Sequence, residues 1–150
     1  MLKINYMSTL FVGIDVSSKS NSVYAMDFEE NKYLSTSFGN NQPGADELVN
    51  RIAACMQKHK NLDTLLIVLE STSVYSVHIS NFLASSEVLM PYKPYVFCVN
   101  PKATANYRKS YIGMEKNRSH RCLSHCGLCK GRPYQKAGTM ARRAVHCTET

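Results

Sequence analysis

Two apolar runs of strand length, each closed by a carboxylate, constrain this chain more than any other feature. Leu10-Phe11-Val12-Gly13-Ile14-Asp15-Val16 reads as a buried strand with Asp15 at its end. Thr64 to Leu69 is a second continuous apolar run, and Glu70 closes it. Runs of this length without polar alternation suit strands inside a covered sheet rather than half-exposed ones. Around them, Asn21 to Phe28 places Val23, Ala25 and Asp27 at period two, although Asp27, a weaker acidic candidate, is assigned to the solvent face. Lys32 to Phe38 forms a third strand. The short links predict an antiparallel meander.

Asn40-Asn41-Gln42-Pro43-Gly44 is turn chemistry, and Ala45, Leu48, Val49, Ile52 and Met56 then keep a 3.6-residue period, which predicts a helix. Ser71-Thr72-Ser73 can cap a second helix with Tyr75, Ile79, Phe82 and Leu83 on its inner face. Tyr95 to Val99 is a further strand. Asn100-Pro101 marks the start of a third helix, Lys102 to Tyr111, as N-cap and first helical residue. Three strands, helix, strand, helix, strand, helix predict an α/β fold: a mixed, ribonuclease H-like sheet with helices on its faces. With 44% hydrophobic and 19% charged residues, the composition is that of a chain that folds.

Chemistry in α/β sheets gathers at strand ends. Two acids brought together there repel unless a cation separates them. Mg²⁺ suits the position, since it takes hard oxygen ligands and is held by few carboxylates plus phosphates. Asp15 and Glu70 are therefore the candidate metal ligands and catalytic acids, with two solvated strand-end residues as the competing reading. Ser17 and Ser18 lack a His at a telling position for nucleophilic chemistry. Actin-like ATPases and sugar kinases also open on a strand ending in Asp, but Val16-Ser17-Ser18-Lys19 has no glycine for a phosphate turn. No apolar run reaches the roughly 20 residues of a membrane span, and the patch at Leu10–Ile14 is too short for a signal-peptide core. A cytoplasmic location is the expectation.

Three blocks in order now carry a resemblance: Val12-Gly13-Ile14-Asp15-Val16-Ser17, then Leu69-Glu70-Ser71-Thr72-Ser73-Val74-Tyr75, then Val99-Asn100-Pro101 leading into a basic helix. Over about residues 8–117 the chain resembles the N-terminal, RuvC-like domain of DEDD-type insertion-sequence transposases, the IS110 family, related to Piv-type DNA invertases. The resemblance implies Mg²⁺-dependent cutting and rejoining of DNA in mobile-element transposition. It implies four acids, of which Asp15 matches the first and Glu70 the second. It also implies DNA and an element-encoded guide-type RNA as partners, homo-oligomers of the intact parent, and a C-terminal domain with a catalytic Ser that has no counterpart here. Lys102, Arg108 and Lys109, beside Tyr107 and Tyr111, are the candidate nucleic-acid contacts, with a solvated helix face as the alternative.

The last two acids, three residues apart, should follow the third helix. The chain instead runs Glu115-Lys116-Asn117-Arg118-Ser119-His120-Arg121-Cys122, and no Asp follows Asp63. Composition changes at the same place. Residues 118–150 hold seven of the 18 basic and one of the 11 acidic residues, a net of +6, against eleven basic and ten acidic before them, a net of +1. Four of the six cysteines (Cys122, Cys126, Cys129 and Cys147) lie there too.

A shift of one base accounts for this. Back-translated and read one base over, residues 118–150 can spell the family's continuation. Its two missing Asp then fall across the Arg118/Ser119 and Arg121/Cys122 codon junctions. Met140-Ala141 forces a Trp codon in that frame, where a PWRG-like segment of the family has its Trp. Glu115-Lys116-Asn117 can be encoded GAA-AAA-AAC, which contains an unbroken run of A; slippage on that run, a sequencing error and a programmed frameshift are the alternative causes. The sequence thus predicts a RuvC-like domain over 8–117, incomplete at its C-terminus, and an out-of-frame, disordered basic tail over 118–150. A chain with half its acidic site should be catalytically dead. The alternative reading is a small basic nucleic-acid-binding module with zinc on Cys126-x-x-Cys129, Cys122, Cys147, His120, His125 and His146, although the spacing lacks a clean second pair.

Overall fold

The computed structural model describes residues 4–70, 74–102 and 105–106. These form β1 (Thr9–Val16), β2 (Ser20–Met26), β3 (Lys32–Gly39), α1 (Gln42–Lys58), β4 (Thr64–Glu70), α2 (Val74–Ser85) and β5 (Pro94–Val99). The sheet order is β3-β2-β1-β4-β5. β1–β2 and β2–β3 pair antiparallel, while β1–β4 and β4–β5 pair parallel. This is the ribonuclease H-like mixed sheet that the sequence predicts.

Handedness decides where the helices go. β3, β4 and β5 run in one direction, and the steps from β3 to β4 and from β4 to β5 move the same way along the sheet. Right-handed crossovers therefore place both connecting helices on one face. On that face Leu10, Val12 and Ile14 of β1 and Leu65, Ile67 and Leu69 of β4 pack with Leu48, Ile52 and Met56 of α1 and Ile79 and Leu83 of α2. The alternate residues Phe11, Met26, Leu66 and Val68 form a second buried cluster on the opposite face. Among the described residues Ile4 and Tyr6 pack against it, with the Tyr6 ring stacked on Phe11 at 6.3 Å. Burial on both faces is why β1 and β4 are apolar without alternation.

Three expectations change. First, α1 begins at Gln42, inside the segment assigned to a turn. Asn41 is its N-cap and accepts from the Gly44 amide at 2.9 Å, and Pro43 stands in the first turn. Gly44 is there for space: a Cβ would lie 2.0 Å from the Gly39 carbonyl oxygen.

Second, the inner face of α2 is Ser76, Ile79, Ser80 and Leu83, while Tyr75 is 47% exposed. One residue turns a helix by about 100°, so burying Ser76 swings Tyr75 away. Two serines on this face let α2 lie close to β4 and β5. The proposed cap, Ser71-Thr72-Ser73, falls outside the described residues.

Third, Asp27 is buried, not solvent-facing. It closes the β2–β3 hairpin by accepting from Asn31 N (3.0 Å), Asn31 Nδ2 (2.9 Å) and Tyr33 Oη (2.9 Å). The third helix is described only at Pro101, Lys102, Ala105 and Asn106, which are helical. Its predicted start holds, since Asn100 Oδ1 accepts from the Lys102 amide at 2.8 Å.

Candidate acidic site at the strand ends

Asp15 and Glu70 come together through strand register. The parallel β1–β4 pairing runs from Thr9–Thr64 to Ile14–Leu69. One residue further on, Asp15 and Glu70 stand level on neighbouring strands, whose spacing is about 4.8 Å. Alternation puts both on the face of Phe11, Leu66 and Val68, opposite α1 and α2. Both carboxylates are buried, at 7% and 5% exposure. The row extends across the whole sheet. Asp15 pairs with Ser22, Ser22 with Ser37, and Glu70 with Val99. One line on one face therefore reads Ser37, Ser22, Asp15, Glu70, Val99.

The other acids near the sheet are committed elsewhere. Burial pushes the Asp27 carboxyl up, but hydrogen bonds from Asn31 and Tyr33 outweigh it and hold the group below the ordinary value. Burial, with the bond to Asp27, raises the Tyr33 phenol in turn. Asp63 lies just before β4, at the far end of the sheet. It accepts from Ser8 Oγ and Thr64 Oγ1, both at 2.8 Å, and those bonds hold its carboxyl low. Asp46 and Glu47 bond Gln42 and Arg51 along α1. Among the described residues, no group of three or more His, Cys, Asp or Glu forms a metal-binding cluster.

Of the predicted nucleic-acid contacts, Lys102 is exposed three residues beyond Val99, at the same end of the sheet as the acids. Arg108 and Lys109 lie outside the described residues, as do all the tail Cys and His of the zinc reading. Three further groups reach this end that sequence reasoning left out. Lys19 is exposed in the β1–β2 turn. Val74 and Tyr75, in the first turn of α2, are exposed beside the Glu70 strand end. Only the register, which brings the ends of β1, β4 and β5 to one edge, could have selected them. Ser17 is used structurally: its hydroxyl donates to the Ser20 carbonyl and accepts from the Ser20 amide at 3.2 Å, closing the turn.

Residues 12–118 match the IS110-type DEDD family, whose description is "Transposase". The chain belongs to that family. The DEDD transposases act in DNA transposition and recombination, and this membership, with the strand order, fixes the fold as RuvC-like. Solved structures similar to this chain include RuvC of T. thermophilus in complex with a Holliday junction substrate. It has a TM-score of 0.47 and 9% identity, over 80% of this chain and 91% of that one. An exopolyphosphatase from Cytophaga hutchinsonii has a TM-score of 0.42 and 9% identity, over 71% of this chain and 40% of that one. The yeast mitochondrial Holliday junction resolvase Ydc2 has a TM-score of 0.40 and 13% identity, over 73% and 58%. No curated protein matches the chain. Among the described residues, no helix is long and apolar enough to cross a membrane.

Proposed function

We propose that this chain is the metal-holding N-terminal part of a DEDD transposase of a mobile DNA element, left inactive by an out-of-frame tail after Asn117. The observation that carries this is the level placement of Asp15 and Glu70 on adjacent parallel strands, within the segment that matches the family. Two buried carboxylates on one face are a donor set that fits Mg²⁺, which is commonly held by one or two carboxylates and completes its shell with water and phosphate oxygens. The chemistry such an ion supplies is charge stabilisation on the oxygens of a phosphodiester. Asp15 and Glu70 are its proposed ligands and the catalytic acids.

DNA is the proposed partner. Exposed Lys19 and Lys102 flank the acids and suit backbone phosphates, and exposed Tyr75 offers a ring on which a base can stack. The RNA partner, the oligomeric parent, the cytoplasmic location and the kinship with Piv-type invertases extend the same family reading. The family match ends at residue 118, beside the step in charge and cysteine content, and this supports domain limits of 8–117 and 118–150.

Purified chain should bind DNA in a salt-dependent way. It should show no Mg²⁺-dependent cleavage or strand exchange, because half the carboxylate set is missing. Lys19→Ala and Lys102→Ala should each weaken binding across sequences and lower the salt slope by about 1. Cleavage by the 150-residue chain would overturn the inactive reading. Stoichiometric, tight zinc binding would shift it to the zinc module.

A further inference from the structure

We infer that Ser22 is a positioning residue that orients the Asp15 carboxylate, with Ser37 backing it from the solvent edge. The inference rests on the reading of Asp15 as a metal ligand. Ser22 is directly opposite Asp15 in the antiparallel β1–β2 register, and Ser37 is directly opposite Ser22 in β2–β3. Cross-strand neighbours on one face have their Cβ atoms about 4.5–5.5 Å apart, within reach of a short hydroxyl and a carboxylate. Ser22 is buried at 7% exposure, while Ser37 is exposed. Their hydroxyl oxygens are 3.2 Å apart, and either can be the donor.

An Asp15 that holds a metal ion would fix the direction of that bond. An ionised carboxylate only accepts, whereas a serine hydroxyl has one proton and two lone pairs. In the inferred arrangement Ser22 gives its proton to Asp15, its register partner, and accepts from Ser37, which can exchange its remaining bonds with water. The donor comes from the β2 side and Glu70 stands on the β4 side. The hydroxyl thus holds one carboxylate oxygen and leaves the other turned toward Glu70, where a shared cation would sit. Outer-shell donors of this kind set ligand orientation, and their loss typically costs 10–100-fold in metal affinity.

The test uses Mn²⁺ as a spectroscopic probe of the whole 150-residue chain. Bound Mn²⁺ is measured by electron paramagnetic resonance, and thermal melts are run without metal. Asp15→Asn should abolish binding. Ser22→Ala should weaken it about 10-fold or more, with the metal-free melt little changed. Ser22→Thr, which restores the hydroxyl on a strand-favouring residue, should recover most of the affinity. Ser37→Ala should weaken it less than Ser22→Ala. A hairpin-stabilising role alone would move the melt and not the affinity. Loss of binding in Asp15→Asn with unchanged affinity in Ser22→Ala overturns this inference and leaves the metal reading standing. Absence of Mn²⁺ binding by the unsubstituted chain, or binding unaffected by Asp15→Asn, overturns both.

Discussion

At the scale of single residues, the sheet places two carboxyl groups side by side under cover, and this gives Asp15 and Glu70 an opposite effect with and without metal. Burying two carboxyl groups without a cation between them is costly, so Asp15→Asn and Glu70→Gln should leave the metal-free melting temperature equal or higher. With Mn²⁺, the unsubstituted chain should melt higher as metal is added, because a ligand bound only to the folded state stabilises it. Each variant should lose that rise. A parallel pair of melts checks both signs. Gly44 is a second residue whose role is spatial. Any Cβ meets the Gly39 carbonyl at 2.0 Å, and backbone cannot swing aside as a side chain does. Gly44→Ala should therefore destabilise, by about 1–3 kcal/mol as overpacking does, even though alanine favours helix. Urea unfolding of the two proteins would measure it, and a stabilised variant would show that the α1 entry is looser than described.

Elements show what a sequence can and cannot carry. β1 and β4 were legible because burial on both faces writes itself as unbroken apolar runs. α1 was legible in its interior because Leu48, Ile52 and Met56 keep the helical period. Its start was not, because Gln42-Pro43-Gly44 has turn composition, and only the close approach of Gly39 shows why a glycine sits inside a helix. In α2 the inner-face reading holds for Ile79, Leu83 and the half-buried Phe82 but not for exposed Tyr75, because the buried face runs through Ser76 and Ser80. Asp15 and Glu70 were legible as strand-end carboxylates, whereas Ser22 and Lys19 needed the register.

Asp27 keeps the period of buried Val23 and Ala25, and only the general preference of acids for solvent argues against its burial; the hairpin's own donors, Asn31 and Tyr33, are what permit it. That hairpin has a pH signature. The folded Asp27 carboxyl titrates below its ordinary value of 3.8, because the bonds from Asn31 and Tyr33 outweigh burial. A depressed folded value means the ionised group stabilises the fold above about pH 4. That contribution disappears as pH falls through the folded value. Stability measured from pH 6 down to pH 2 should therefore fall more steeply in the unsubstituted chain than in Asp27→Asn, which is less stable at pH 6 but has no such proton to take up. Equal slopes would show that the hairpin bonds do not favour the charged form.

For the whole molecule, the question is why a chain with an ordered α/β body carries a continuation that differs from it in charge, cysteine content and family match at one point. Selection for nucleic-acid binding would account for the +6 net charge but not for the absence of the two Asp that the family resemblance implies after the third helix. A zinc module would account for Cys126 and Cys129 but would leave the Trp codon that Met140-Ala141 would give in the proposed shifted frame a coincidence. The proposed displaced base would account for all three, and it makes a prediction no other reading shares. Resequencing the gene from codon 110 past the stop should find either a run of A one base shorter than the protein implies, or a long open frame continuing one base over. A chain made from the restored frame should regain an Asp-x-x-Asp pair and bind Mn²⁺ more tightly than the 150-residue chain. It should also melt higher if the segment carrying that pair packs on the sheet, as the proposed reading expects. A confirmed A-run whose shifted frame closes within a few codons would remove the frameshift. Residues 118–150 would then stand as a native basic segment, and zinc titration of its cysteines would become the deciding measurement.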